Sequence, residues 1–237
     1  MILDKKSLAT AIIVGIVFPV FVLITSMEFA VFNRGFFLDQ LDKNNVSQTT
    51  GIAPKELPAV TDQIFAFLKG EREDFNIYAE KENDLYVPLF NQEELTHMED
   101  VRGLLKAAVI VQTVCGVLLL AGLILLFFWD RTAIAKAVFG GAVFGLILLL
   151  ASGLAAVFDF TSVFQAAHRL VFTNDYWYLD PSESVLINIV PEPYFIALGL
   201  RIVTIAAVVY LICAVGGGFL SRRLARRKFM KNSKRKF

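Results

Sequence analysis

The sequence predicts an all-α polytopic membrane protein: four transmembrane helices, an extracytoplasmic cap of short helices with a small hairpin, and an interfacial amphipathic helix. Three observations carry this. The chain is 56% hydrophobic and 19% charged, with mean hydropathy +0.60, where a soluble domain is about half apolar and about a quarter charged. The excess is concentrated in four runs near 8–32, 103–129, 133–158 and 195–220. Each is long enough to cross a hydrocarbon core, which takes roughly 20 helical residues, and lipid admits helices but not open strands. Finally, the charges between the runs are unevenly placed.

The first run follows Lys5 and Lys6, as the core of a signal peptide would. Its apolar segment is too long for that, and VFNRGFF offers no small-residue cleavage site, so it is read as a membrane helix. The segment after it, 33–102, is expected outside the cell as a cap on the helix ends. Within it, Val60, Ile64, Phe65 and Leu68 fall at helical spacing, and Lys69-Gly70 supplies a helix end. Two β-prone pieces flank Asn83-Asp84 and predict a hairpin. Asn91 followed by Glu94 reads as a helix cap, from which one helix runs through His97 into the second run.

The third run carries one charge, Lys136, and its Gly140, Gly141 and Gly145 suit close helix contact. Cys115 and Cys213 lie inside apolar helices without metal-ligand spacing and read as small apolar fillers. Beyond the third run, Phe160, Val163, Phe164, Ala167, Leu170 and Val171 repeat at i, i+3, i+4, i+7, an amphipathic helix suited to the headgroup plane. The loop that follows has three prolines and four acids, so it is expected to be ordered and turn-rich. Its Tyr176, Trp177, Tyr178 and Tyr194 form an expected interfacial aromatic belt. In the fourth run, VGGGF at 215–219 is read as the end of the helix, for packing or a break.

The tail 221–237 carries nine Lys/Arg and no acid, and Lys5, Lys6, Arg131 and Lys136 flank other runs. By the positive-inside rule these places are cytoplasmic, and 33–102 and 159–194 are outside. The first outer segment agrees, with fourteen acids against seven bases. A basic tail beside a membrane helix is an orientation signal that also attracts anionic lipid, not a nucleic-acid arm.

Two histidines are present, His97 and His168, and this topology sets both at the outer interface. An unperturbed imidazole titrates near neutral pH, which suits proton transfer. Asp100 lies three residues after His97 on the same helix face, where it is expected to fix the tautomer. Asp159 either orients a histidine or marks the water boundary. Glu28, Lys106 and Arg201 are ionisable groups in apolar runs and are expected near an outer-leaflet polar pocket, with Glu28 and Arg201 as partners. No HExxH, nucleophile elbow, phosphate loop or CxxC is present, so no metal or cofactor is expected.

HMEDV at 97–101 and HRLVFTNDYWYLDPSESVLINIVPEPYF at 168–195 resemble the motifs of the lipoprotein intramolecular transacylases (Lit), integral membrane proteins of Gram-positive bacteria. The resemblance covers the whole chain and departs at Ser184, where an acid is expected, so a local salt bridge or cap there is in question. It implies that the sn-2 acyl chain of a diacylglyceryl lipoprotein moves to the α-amine of its N-terminal cysteine, giving the lyso-form. It also implies that His97 and His168 are the catalytic residues. Ester-to-amide transfer runs downhill without a nucleotide. An amine of pKa near 8 needs a base, and the departing alkoxide needs an acid. Arg169, Asn174, Tyr176 and Arg201 are candidate donors to the tetrahedral oxyanion, with Glu28 behind Arg201. The competing readings are a non-catalytic lipid- or partner-binding membrane module and a metal-dependent lipid hydrolase.

Overall fold

The computed structural model describes residues 4–81 and 85–233. It is an all-α membrane protein whose helices are α1 (Lys5–Val31), α2 (Arg34–Lys43), α3 (Val46–Thr50), α4 (Leu57–Lys69), α5 (Gln92–Trp129), α6 (Arg131–Phe158), α7 (Phe160–Val171), α8 (Val185–Ile189) and α9 (Glu192–Ser233). Between α4 and α5 stands an antiparallel hairpin, β1 (Tyr78–Glu80) with β2 (Tyr86–Pro88), Ala79 facing Val87. Its expected turn at Asn83-Asp84 lies outside the described residues. α1, α5, α6 and α9 are long and apolar enough to cross a membrane. The chain forms two compact units, and each of these four helices gives residues to both.

The first unit comprises 1–26, 109–154 and 202–237. Its cores are built from small residues: Ala11, Val14, Ala133 and Ala137 with Leu119 and Leu126, and Val22, Ala142, Leu149 and Ala206 around Tyr210. Lipid tails are as apolar as leucine, so helices associate here by close backbone approach rather than by burial from water. Pro19 lies inside α1 and cannot donate to the carbonyl of Gly15 one turn earlier. That carbonyl packs against Gly141, where an added Cβ would stand 2.7 Å from the Gly15 oxygen. Pro19's own carbonyl accepts the Tyr210 hydroxyl at 2.6 Å, and the Tyr210 ring fills the space that a Cβ on Gly145 would need.

Gly141→Leu therefore forces α1 and α6 apart. Overpacking of this kind costs about 1–3 kcal/mol. We expect a lowered thermal midpoint and poor yield in detergent. Gly140→Ala, with nothing within 4 Å of the added carbon, leaves both unchanged.

The glycines at 216–218 do not end the fourth long helix, contrary to expectation. α9 runs through them to Ser233, carrying part of the basic tail in helical form. Their smallness is used for packing: a Cβ on Gly217 would meet the Ala135 carbonyl and the Phe139 amide, both at 3.1 Å.

The second unit comprises 27–108 and 155–201. Its core is aromatic. Phe37 meets Phe65 and Tyr194 edge-on, and Phe75 stacks between Phe67 and Phe90. α4 buries Val60, Ile64 and Phe65, and it turns Phe67 fully inward while Leu68 is half-buried. Its end at Lys69-Gly70 uses a left-handed glycine, φ 77°, whose amide closes on Ala66 and Phe67. α7 buries no residue, and Leu170 is 86% exposed on its apolar face, the distribution of a helix that lies in an interface. Asp159 N-caps α7 by accepting from the Ser162 amide at 3.0 Å, so its carboxylate holds a helix start rather than a histidine.

Candidate active site

The site begins with the start of α5. Asn91 accepts from the Glu94 amide at 3.0 Å, and Glu94 Oε2 accepts from the Asn91 amide at 2.7 Å, a reciprocal capping box. The other oxygen does more than cap. Glu94 Oε1 accepts from the Ser184 hydroxyl at 2.6 Å and from the Leu186 amide at 2.7 Å. Glu94 is 1% exposed, and its two carboxylate oxygens accept three hydrogen bonds. It fastens the loop and α8 to the first turn of α5. Ser184 also N-caps α8, accepting from the Ile187 amide at 3.3 Å. An acid at 184 would set a second carboxylate against Glu94, so the serine keeps the cap and turns a repulsion into a donor.

One turn further along α5 stands His97, ahead of the apolar run at 103–129 and 8% exposed. Its ring centroid is 6.4 Å from that of His168, and the Phe172 ring packs against both, at 5.2 and 5.5 Å. α7 and its C-terminal residue bring these groups in from the second half of the chain. His168 is flanked further by Phe164 at 4.0 Å and Trp177 at 5.2 Å.

The two imidazoles differ. His168 Nδ1 lies 2.8 Å from the Phe164 carbonyl. A carbonyl oxygen only accepts, so Nδ1 carries the proton and Nε2 keeps a free lone pair in the neutral ring. His97 Nδ1 is buried without a partner. Burial pulls the His97 pKa down to about 4, the charge of His168 adds to the drop, and Asp100 opposes it. His97 is therefore neutral at pH 7.

A histidine with a depressed folded pKa binds fewer protons folded than unfolded between its two pKa values. Stability is then fully present above about pH 6.5 and falls as pH drops toward about 4, by about 3 kcal/mol. The thermal midpoint should decline through that window, and His97→Gln should flatten the decline. An equal decline in the variant would remove His97 as its source.

Asp100 does not make the expected hydrogen bond to His97. Its Oδ2 accepts from Asn174 Nδ2 at 2.8 Å, and it reaches His97 through charge alone. Asn174 in turn accepts from the Tyr176 amide at 3.2 Å. It is a strut between α5 and the loop, and its amide is occupied. Arg169 is exposed and directed one turn back along α7, with NH2 3.5 Å from Gln165 Oε1. The Tyr176 side chain stands exposed, outside the ring cluster around His168. Neither Arg169 nor Tyr176 is brought to the histidines as an oxyanion donor.

Arg201 places its guanidinium 4.8 Å above the Phe36 ring, with Nε buried and unpartnered. Glu28 is half-buried near the end of α1, and Lys106 passes Gly70 at the end of α4. The expected aromatic belt divides. Tyr178 is 71% exposed, whereas Trp177 (9%) and Tyr194 (4%) are buried. Trp177 is a wall of the histidine site, not an interface anchor. Among the described residues, no three His, Cys, Asp or Glu side chains cluster closely enough to hold a metal ion.

Glu94, Phe172 and Trp177 are the residues that sequence reasoning undervalued. Glu94 was legible only as a cap, because its second set of partners lies about ninety residues later in the chain.

A family model described as lipoprotein intramolecular transacylase Lit matches residues 12–195. The fold is similar to an in meso structure of the membrane integral lipoprotein intramolecular transacylase Lit from Bacillus cereus. There the TM-score is 0.78 at 18% identity, covering 95% of this chain and 98% of that one. Two variants of the same protein, in which one histidine is replaced by alanine or by arginine, match at TM-scores of 0.73 and 0.72, each at 18% identity and 95% of this chain, covering 96% and 95% of theirs. No curated protein matches the chain in sequence.

Proposed function

The chain belongs to the lipoprotein intramolecular transacylase family, and from that premise we propose that it moves the sn-2 acyl chain of a diacylglyceryl lipoprotein to the α-amine of its N-terminal cysteine, with His168 as base and His97 as hydrogen-bond donor and acid. The observation that carries this division is the unlike setting of two adjacent imidazoles. His168 donates Nδ1–H to a backbone carbonyl, which leaves the Nε2 lone pair available and aims it. The rings of Phe164 and Trp177, at 4.0 and 5.2 Å between centroids, hold the imidazole in place. His97 is held neutral, and a neutral imidazole polarises a carbonyl by donating N–H, without a formal charge to desolvate.

In this reading the amine gives a proton to His168 Nε2 as its nitrogen bonds to the ester carbon. The oxyanion accepts from His97. The carbon–oxygen bond to the glycerol then breaks, and the sn-2 oxygen takes a proton relayed from the histidine pair. The enzyme ends in its starting protonation state. Amine and ester belong to one substrate, so proximity is built in. Asp100 acts through its charge on His97, and Arg201, with a free Nε, is the remaining candidate cation for a substrate carbonyl or anionic group. By the distribution of Lys and Arg, both termini are cytoplasmic and the site serves the outer leaflet of a bacterial plasma membrane.

The test is mass spectrometry of lipoprotein N-termini from a host without other N-acylation that expresses this chain. N-acyl, S-monoacylglyceryl peptides are expected. Free-amine diacylglyceryl peptides alone would reject the transfer, and free fatty acid without amide would indicate hydrolysis.

A further inference from the structure

Beside His168 lies a cavity of about 150 Å³ whose lining includes the rings of Phe160, Phe164, Trp177 and Phe195, together with Thr161 and Glu192. We propose that this cavity recognises a primary ammonium group, that of the substrate's N-terminal cysteine. The inference deepens the transacylase reading and rests on it.

Three of the rings form a continuous wall. Phe164 stands 5.8 Å from Phe160 and 5.0 Å from Phe195 between centroids. Aromatic faces carry negative quadrupole and attract cations, and a carboxylate among them favours a cation with N–H donors. Glu192 supplies that carboxylate. Its Oε2 accepts from the Thr161 hydroxyl at 2.9 Å, and both residues are exposed, so the carboxylate stands at the rim of the cavity with Oε1 open to a ligand or to water.

Two plainer accounts explain less. An acid in the first turn of α9 is stabilised by the helix terminus. That accounts for Glu192 but not for the rings around the space its carboxylate borders. A segment of acyl chain would suit the rings and the neighbouring Leu179, Ile187 and Val190, but it would leave the carboxylate at the rim without a partner. Phe164 and Trp177 line the cavity and also flank His168, so an ammonium seated there is next to the base; it first loses one proton to bulk water, and the neutral amine gives its second to His168 as it attacks.

The same chemistry is carried by the ethanolamine headgroup of a membrane lipid, and the experiment separates the two. Binding is read by Trp177 fluorescence in a Trp129→Phe background, these being the two tryptophans of the chain. The probe is a dialkyl-ether glyceryl-cysteinyl peptide, which cannot undergo transfer, with its amine free or N-acetylated. In phosphatidylglycerol nanodiscs at pH 7, the free-amine probe should bind about tenfold more tightly than the acetylated one. Glu192→Gln should reduce that preference to less than about twofold. Equal binding of both probes to the parent, or an undiminished preference in Glu192→Gln, overturns the proposal. Loss of the preference when phosphatidylethanolamine replaces phosphatidylglycerol assigns the cavity to lipid and overturns the substrate assignment. Transfer is measured separately on the ester substrate, so a lost preference with intact product formation fails this inference alone.

Discussion

His168→Ala lowers the rate of acyl transfer by about 10²–10⁴, the range a positioned general acid or base supplies. His97→Ala does so by a comparable factor, and the double variant loses little more than either single one, because the two imidazoles serve one proton circuit. The measurement is the time course of lyso-form product in detergent, with membrane insertion and thermal midpoint followed in parallel. His168 is half-buried at the surface of the ring cluster, so its truncation leaves folding largely intact. Added imidazole should restore part of the His168→Ala rate. His168→Ala retaining full activity would remove the base from the proposed mechanism and favour a module that binds without turnover.

Glu94→Ala destabilises the second unit by about 3–5 kcal/mol. The change strips the acceptor from three donors at once: the Ser184 hydroxyl, the Leu186 amide and the Asn91 amide. With the carboxylate 1% exposed, water does not readily replace it. The thermal midpoint should fall by about 10 °C in detergent. Transfer should fall too, because the start of α5 that carries His97 and the loop that carries Trp177 lose their tie. Glu94→Gln keeps an acceptor for Ser184 and Leu186 but turns an amide donor toward the Asn91 N–H, so it should cost about half as much. Ser184→Glu should also destabilise, by facing Glu94 with a second buried charge. A Glu94→Ala protein as stable as the parent would show that the network is not as tight as its distances imply.

Much of the architecture was legible because membranes impose a one-dimensional rule. A run such as 133–158 must be a helix whatever packs beside it, since lipid offers its backbone no partner. Period also identified α7 and α4, and the Asn91–Glu94 spacing gave the start of α5. At 215–219, where the sequence suggests a helix end for packing or a break, the packing holds and the break does not. In lipid the helix keeps its own hydrogen bonds, and glycine instead permits a backbone to approach. The aromatic belt was half misassigned for a related reason: composition places tryptophan near an interface, but only packing turned Trp177 inward against His168.

The sequence alone determined four membrane-crossing helices, their charge bias, and the family, because hydropathy and motif spacing are local quantities that survive without a partner. The tertiary structure decided the surroundings of each imidazole, from which the proposed chemistry is read. Whether an imidazole is a base or a neutral donor depends on what touches each ring nitrogen, and those groups are the Phe164 carbonyl for His168 and none for the buried nitrogen of His97. Folding likewise turned Glu94 from a helix cap into the clasp of a loop far along the chain. Burial and hydrogen bonding are properties of assembled neighbours, and linear order does not contain them.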